Sequence, residues 1–243
     1  MTGRRARGSS RSAAGARERA LRAELIATCR ELTRRGLTHG TSGNVSVRSG
    51  ERFLISPTGM DYEGLEPGDV ALMDFNGRWH GRRRPSSEWR FHRDILRSRP
   101  DAVAVVHTHS PHAVSLACTG RGIPAFHYMV AVAGGPDIRC APYYTFGSQE
   151  LSDAALAALQ DRAACLLANH GVIALGADLR AALHLASEVE NLATQYSRAL
   201  ALGEVRILAA AEMCRVLERF RTYGQQDAPD EGLEPMGCGP EGT

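Results

Sequence analysis

The spacing of apolar positions divides the chain into short strands and amphipathic helices. From about Ala16, Leu21, Leu25, Cys29 and Leu32 recur every three or four residues, and Gly36 stands where that helix would stop. Residues 41–48 and 52–56 read as two strands joined by a turn at Ser49-Gly50-Glu51. A second pair, 69–74 and the stretch at Trp79, flanks Asn76-Gly77, the strongest short hairpin signal. Trp89, Ile95 and Leu96 lie on a helical spacing, with Ser86 or Ser87 placed to cap its start. The run V-A-V-V-H-T-H, residues 103–109, is bounded by Pro100 and Pro111 and reads as a buried strand.

Further along, 110–118 predicts a short helix and 129–135 a small-residue segment. Residues 138–144 predict a strand near a sheet edge, because Pro142 removes a ladder donor. A helix over 148–160 follows, then a strand over 164–170 ending in a histidine, with 172–175 continuing after Gly171. Asp178 caps a long helix carrying Leu183, Ala186, Val189 and Leu192, and another helix spans about 204–220. Past Met1, residues 2–15 hold no large apolar side chain, and those from Gln225 on are rich in Gly, Pro and acid; residues 1–15 and 225–243 are both expected to be disordered arms. One domain over 16–224 remains, with no internal repeat and no linker.

Side chains alternate along a strand, so His107 and His109 point to one face. His170 would close another strand, and Glu88 opens a helix shortly before the first pair. Three imidazoles leave a coordination position open, the arrangement of a catalytic metal, with zinc the first expectation and Mn²⁺ or Co²⁺ possible. Gly43-Asn44 and Thr58-Gly59 sit at strand ends, as ordinary turns or as loops whose N–H groups face a ligand. The helix start at Ser86-Ser87 either caps only, or offers its N–H groups to a phosphate.

Composition narrows the chemistry. All 29 basic residues are arginine. Without lysine the chain cannot form a Schiff base or a lysine-bearing phosphate loop, so carbonyl activation falls to a metal, an arginine or neutral donors. A net charge of +2 makes no case for nucleic acid or a membrane surface. No run approaches a membrane span. Six cysteines without a C-x-x-C pair suit a reducing cytoplasm, and the basic N-terminus has no apolar core of a secretory signal.

These stretches together resemble the class II aldolase/adducin head family, on its aldolase side. The matching segments are S-G-N-V-S, I-S-P-T-G, P-S-S-E, V-V-H-T-H, H-Y-M-V-A-V-A-G-G, A-P-Y-Y-T-F-G-S-Q-E-L, N-H-G-V-I-A and F-R-T-Y-G. They cover roughly residues 20–224 in the family's order. The resemblance implies an α/β fold: a three-layer α/β/α sandwich on a central, largely antiparallel sheet. It implies Zn²⁺ held by His107, His109 and His170, with Glu88 as acid/base group and metal ligand in turn. It implies that Gly43, Asn44, Thr58, Gly59, Ser86 and Ser87 cradle a substrate phosphate. Tyr128 would supply a proton from a neighbouring subunit, Tyr223 would close over the site, and the assembly would be a homotetramer. The reaction implied is cleavage of a ketose 1-phosphate, such as L-fuculose 1-phosphate or a 5-deoxypentulose 1-phosphate, to dihydroxyacetone phosphate and an aldehyde. The same fold also serves pentulose-5-phosphate 4-epimerases, methylthioribulose-phosphate dehydratases and non-catalytic adducin-like modules.

Overall fold

Period-two alternation builds the centre of the molecule. In the computed structural model, which describes residues 4–221, eight strands form one sheet in the order β4-β3-β2-β1-β5-β8-β7-β6. They are β1 (Asn44–Ser49), β2 (Arg52–Ile55), β3 (Ala71–Asp74), β4 (Trp79–His80), β5 (Ala104–Thr108), β6 (Arg139–Ala141), β7 (Ala164–Leu167) and β8 (Gly171–Gly176). All neighbours are antiparallel except β6 and β7, and β6 is the edge strand that Pro142 foretold. Odd and even positions face different layers. Val45, Val47, Leu54, Val106, Leu166 and Val172 join one apolar cluster. Phe53, Ile55, Val105, Leu167, Ile173 and Leu175 join the other.

Helices cover both faces. Helices α1 (Arg4–Arg34), α3 (Pro111–Ala117) and α5 (Leu179–Leu202) pack on the first cluster, with α6 (Ala210–Phe220) and a 3-10 segment (Tyr128–Ala133) beside them. Helices α2 (Trp89–Ser98) and α4 (Gln149–Ala158) pack on the second. The result is the expected three-layer α/β/α sandwich with a mainly antiparallel sheet.

Four local expectations are corrected. Helix α1 begins at Arg4, inside the stretch expected to be a disordered arm, because alanine and arginine favour helix even without apolar neighbours. Strand β7 stops at Leu167, so His170 does not end a strand; it sits in the turn that reverses the chain into β8. Asn169 makes that turn with φ 54°, a left-handed conformation asparagine tolerates. Neither serine caps α2, whose N-cap is Glu88. Helix α6 begins at Ala210 rather than 204. Tyr223 and the tail from 225 lie outside the described residues. None of the five described cysteines is bridged. Among the described residues no helix is long and apolar enough to cross a membrane.

Candidate active site

Register brings the site together. Asn44 on β1 faces His107 on β5, and His107 faces Ile173 on β8, one strand over from the His170 turn. His107 lies on the α2 side of the sheet, against the ring of Phe91. Glu88, at the start of α2, therefore meets it, and the helix dipole there favours a carboxylate. Glu88 Oε2 is 3.3 Å from His107 Nε2, and Oε1 is 3.2 Å from His170 Nε2. His107 Nε2 and His109 Nε2 are 3.0 Å apart. The three rings form a near-equilateral triangle, with centroid separations of 4.9, 4.8 and 5.0 Å. One ligand atom from each of the four residues lies within 4.8 Å of every other.

The donor set fits a divalent metal ion. His107 Nδ1–H donates to the Val172 carbonyl at 2.8 Å, which puts the lone pair of the neutral ring on Nε2. His109 Nε2 and Glu88 Oε2 converge on that nitrogen, three atoms that can each present a lone pair to one ion. Glu88 Oε1 is buried and makes no hydrogen bond. A cation is the partner that such a cluster lacks among its own atoms. Burial, then the neighbouring His107 and His170, pulls His109 down to about 3, so it meets an ion unprotonated. Burial opposes ionisation of Glu88, but His107 and then His170 outweigh it and hold the carboxyl well below the usual range.

Above this centre opens a cavity of about 280 Å³. Gly43, Asn44, Thr58, Gly59, Ser86 and Ser87, all six residues expected around a phosphate, line its wall. Two loops there are stitched together: Pro57 bridges Pro85, Thr58 N–H donates to the Arg84 carbonyl, and Ser86 N–H to the Ser56 carbonyl. The Thr58 N–H is thus committed to the fold. Ser86 Oγ accepts the Glu88 N–H at 3.2 Å and so steadies the backbone of the carboxylate. Gly43 has φ 79°, and a Cβ there would meet the His107 carbonyl at 2.8 Å. The Asn44 side chain is also committed, its Nδ2 donating to Glu88 Oε2 at 2.9 Å.

Tyr128 lies elsewhere. It opens the 3-10 segment, half exposed, stacked on His127 and 6.5 Å from the Phe220 ring, and it is not on this wall. Residues not singled out from sequence also line the cavity, among them Tyr143, Phe146 and Asn169. His92 reaches Asn44 from α2, and Tyr62, part of the cluster on the opposite face of the sheet, donates its hydroxyl to the Gly43 carbonyl at 2.6 Å. The spacing of Glu88 and His92, one helical turn apart, was the available signal for His92.

Known proteins share this arrangement of chain and fold. The family described as Class II Aldolase and Adducin N-terminal domain matches residues 23–197. A 5-methylthioribulose-1-phosphate/5-deoxyribulose-1-phosphate aldolase of Rhodospirillum rubrum is 58% identical over 205 residues, 84% of this chain and 93% of the relative. The L-fuculose phosphate aldolase of Escherichia coli strain K12 is 50% identical over 202 residues, 83% of this chain and 94% of the relative. A solved L-fuculose 1-phosphate aldolase superposes with a TM-score of 0.80 at 40% identity, covering 83% of this chain and 96% of its own. The sheet, the Glu88–histidine centre and these relatives agree: the chain belongs to the class II aldolase and adducin N-terminal domain family, among its aldolase enzymes.

Proposed function

We propose that this enzyme reversibly cleaves a ketose 1-phosphate to dihydroxyacetone phosphate and a small aldehyde, using a bound divalent ion, zinc first. The carrying observation is a carboxylate and three imidazoles converging under a polar cavity, in a chain with no lysine for iminium chemistry. The relatives' names favour 5-methylthioribulose 1-phosphate, 5-deoxyribulose 1-phosphate and L-fuculose 1-phosphate as substrates. Tyr143 and Phe146 on the cavity wall add an apolar side that suits a deoxygenated aldehyde end.

His107, His109, His170 and Glu88 would hold the ion, which when bound draws electron density from the substrate carbonyl and its adjacent hydroxyl. Thr58, Gly59, Ser86 and Ser87, with the Gly43-Asn44 loop, bind the phosphate and so orient the reacting carbons. In cleavage the C3–C4 bond breaks, its electron pair stays with C3, and Glu88 delivers a proton to that carbon. In condensation the ionised Glu88 removes the same proton. In condensation Tyr128 of a neighbouring copy gives its hydroxyl proton to the aldehyde oxygen. The proton taken by Glu88 then leaves to solvent, and another from solvent restores the phenolate. Cleavage runs the same transfers backward, Glu88 being charged from solvent before it protonates C3. Tyr223 closes over the bound substrate, and the working assembly is a homotetramer.

The test is to supply each ketose 1-phosphate to the metal-loaded enzyme and trap dihydroxyacetone phosphate with an NADH-dependent reductase. Absence of triose phosphate from all of them would reject the aldolase reading in favour of epimerisation or dehydration. Glu88→Gln is expected to retain stoichiometric metal while turnover falls by about 10²–10⁴-fold; wild-type turnover would remove its role as base.

A further inference from the structure

The two oxygens of Glu88 are not equivalent. Oε2 accepts from Asn44 Nδ2 at 2.9 Å, while Oε1 is buried with no hydrogen bond and points to His170. One oxygen is anchored by protein and the other is left to react. What orients Asn44 decides which is which. An amide nitrogen can only donate and an amide oxygen can only accept. Asn44 Oδ1 is held by the ring of His92, whose Nε2 must therefore carry the proton. The other ring nitrogen of a neutral His92 is then an acceptor, and Ser46 Oγ lies 2.7 Å from it as donor. Asn44 and Ser46 are alternate residues of β1, so both face α2 and its His92.

We infer that Ser46, His92 and Asn44 form a buried relay of hydrogen bonds that fixes the Glu88 carboxylate with Oε1 towards the substrate, His92 being the positioning residue. The inference rests on the acid/base reading of Glu88. Burial makes the relay directional. Ser46 and His92 are 0% exposed and Asn44 4%, so water cannot replace a lost partner. Without the His92 donor, Asn44 Oδ1 becomes a buried, unsatisfied carbonyl. Flipping the amide would point that carbonyl at the carboxylate, and Glu88 would lose its anchor. Burial, the first cause, holds His92 down to about 3, so the ring stays neutral where the enzyme works.

Two measurements test this. Long-range proton–nitrogen correlation spectra of the metal-loaded, ¹⁵N-histidine-labelled enzyme should show His92 as the Nε2–H tautomer across neutral pH. An Nδ1–H tautomer would overturn the relay. In kinetics, His92→Phe should lower kcat about tenfold or more with KM within about twofold, metal still stoichiometric, as for other groups behind a ligand. His92→Gln, whose amide nitrogen can take the place of Nε2, should recover most of the loss. Because His92 acts through Asn44, the double variant with Asn44→Ala should turn over no more slowly than Asn44→Ala alone. Additive losses would mark His92 as a packing residue and reject the inference. Should His92→Phe not fold, the tautomer and Ser46→Ala decide, the latter expected to lower kcat without loss of metal. If Glu88→Gln keeps full turnover, the acid/base reading fails; if Glu88→Gln is inactive and His92→Phe silent, only the relay fails.

Discussion

Gly171 governs how closely the histidines can meet. A Cβ there would stand 2.3 Å from the Thr108 carbonyl oxygen and 3.0 Å from carbons of both His107 and His109. The clash is with backbone and with two metal-seating rings, so no flexible side chain can yield. Gly171→Ala is expected to cost about 1–3 kcal/mol by overpacking and to lower metal occupancy, read by elemental analysis and thermal melting. An alanine variant with full metal and unchanged melting would show that the rings tolerate displacement. At this scale the sequence was informative where a local rule applied. His107 lies in β5 and His109 one residue past its end, and their ring nitrogens still meet as alternation predicts, with Glu88 at the helix start beside them. It was uninformative where partners are distant in the chain. Asn44 lies 44 residues before Glu88, and nothing local distinguishes an amide aimed at a phosphate from one aimed at a carboxylate. Nothing local to His92 marks its partners, Asn44 and Ser46 on β1, which lie 48 and 46 residues before it.

The helix α2 must be seated before Glu88 can be placed, and Asp94 does much of that seating. Gln149 Nε2 and Ser152 Oγ of α4 each donate to Asp94 Oδ2 at 2.8 Å, and Arg93 Nε donates to Oδ1 at 2.7 Å. Burial opposes the charge on Asp94, yet bonds from Arg93, Gln149 and Ser152 outweigh it and lower its pKa. A carboxyl lowered on folding stabilises the fold above its unfolded pKa, and the benefit fades as pH falls through the folded value. Asp94→Asn should therefore lower stability by about 1–3 kcal/mol at neutral pH. In parallel denaturant titrations, the gap from wild type should close only below about pH 4. A gap that persists in acid would mean that charge on Asp94 contributes nothing. Elements were legible from sequence wherever period and punctuation agreed, as in α5 behind its Asp178 cap, where the side chain accepts the Ala181 N–H. They were misplaced where one residue type serves two ends. Ser86 looked like a helix cap and instead accepts the N–H of the residue that is the cap. The apolar run before His170 read as one strand to the histidine, because nothing in its pattern announces that Ala168 and Asn169 already turn.

At the scale of the molecule, β5 is inserted between β1 and β8, strands more than a hundred residues apart in the chain, and no periodicity encodes that order. Only the resemblance of motifs in sequence implied it. The same architecture separates two residues of the proposed mechanism. Glu88 enters from the α2–α4 layer, whereas the segment opened by Tyr128 packs its Val130, Ala131 and Ala133 into the α1–α5 layer across the sheet. Within one chain, Tyr128 is absent from the cavity wall that holds Glu88. If Tyr128 acts, it acts on the cavity of another copy, and each working site is then built from two chains. That geometry has a consequence for mixed assemblies. Glu88→Gln chains still carry Tyr128, and Tyr128→Phe chains still carry Glu88. Each variant alone should be nearly inactive. Refolded together in equal amounts, they should regain about a quarter of wild-type turnover, the fraction of sites that draw both intact residues in a closed symmetric ring. Assaying the mixture against each variant refolded separately measures this directly. A mixture no more active than its parts would place Tyr128 and Glu88 in the same chain's site, or remove Tyr128 from the chemistry.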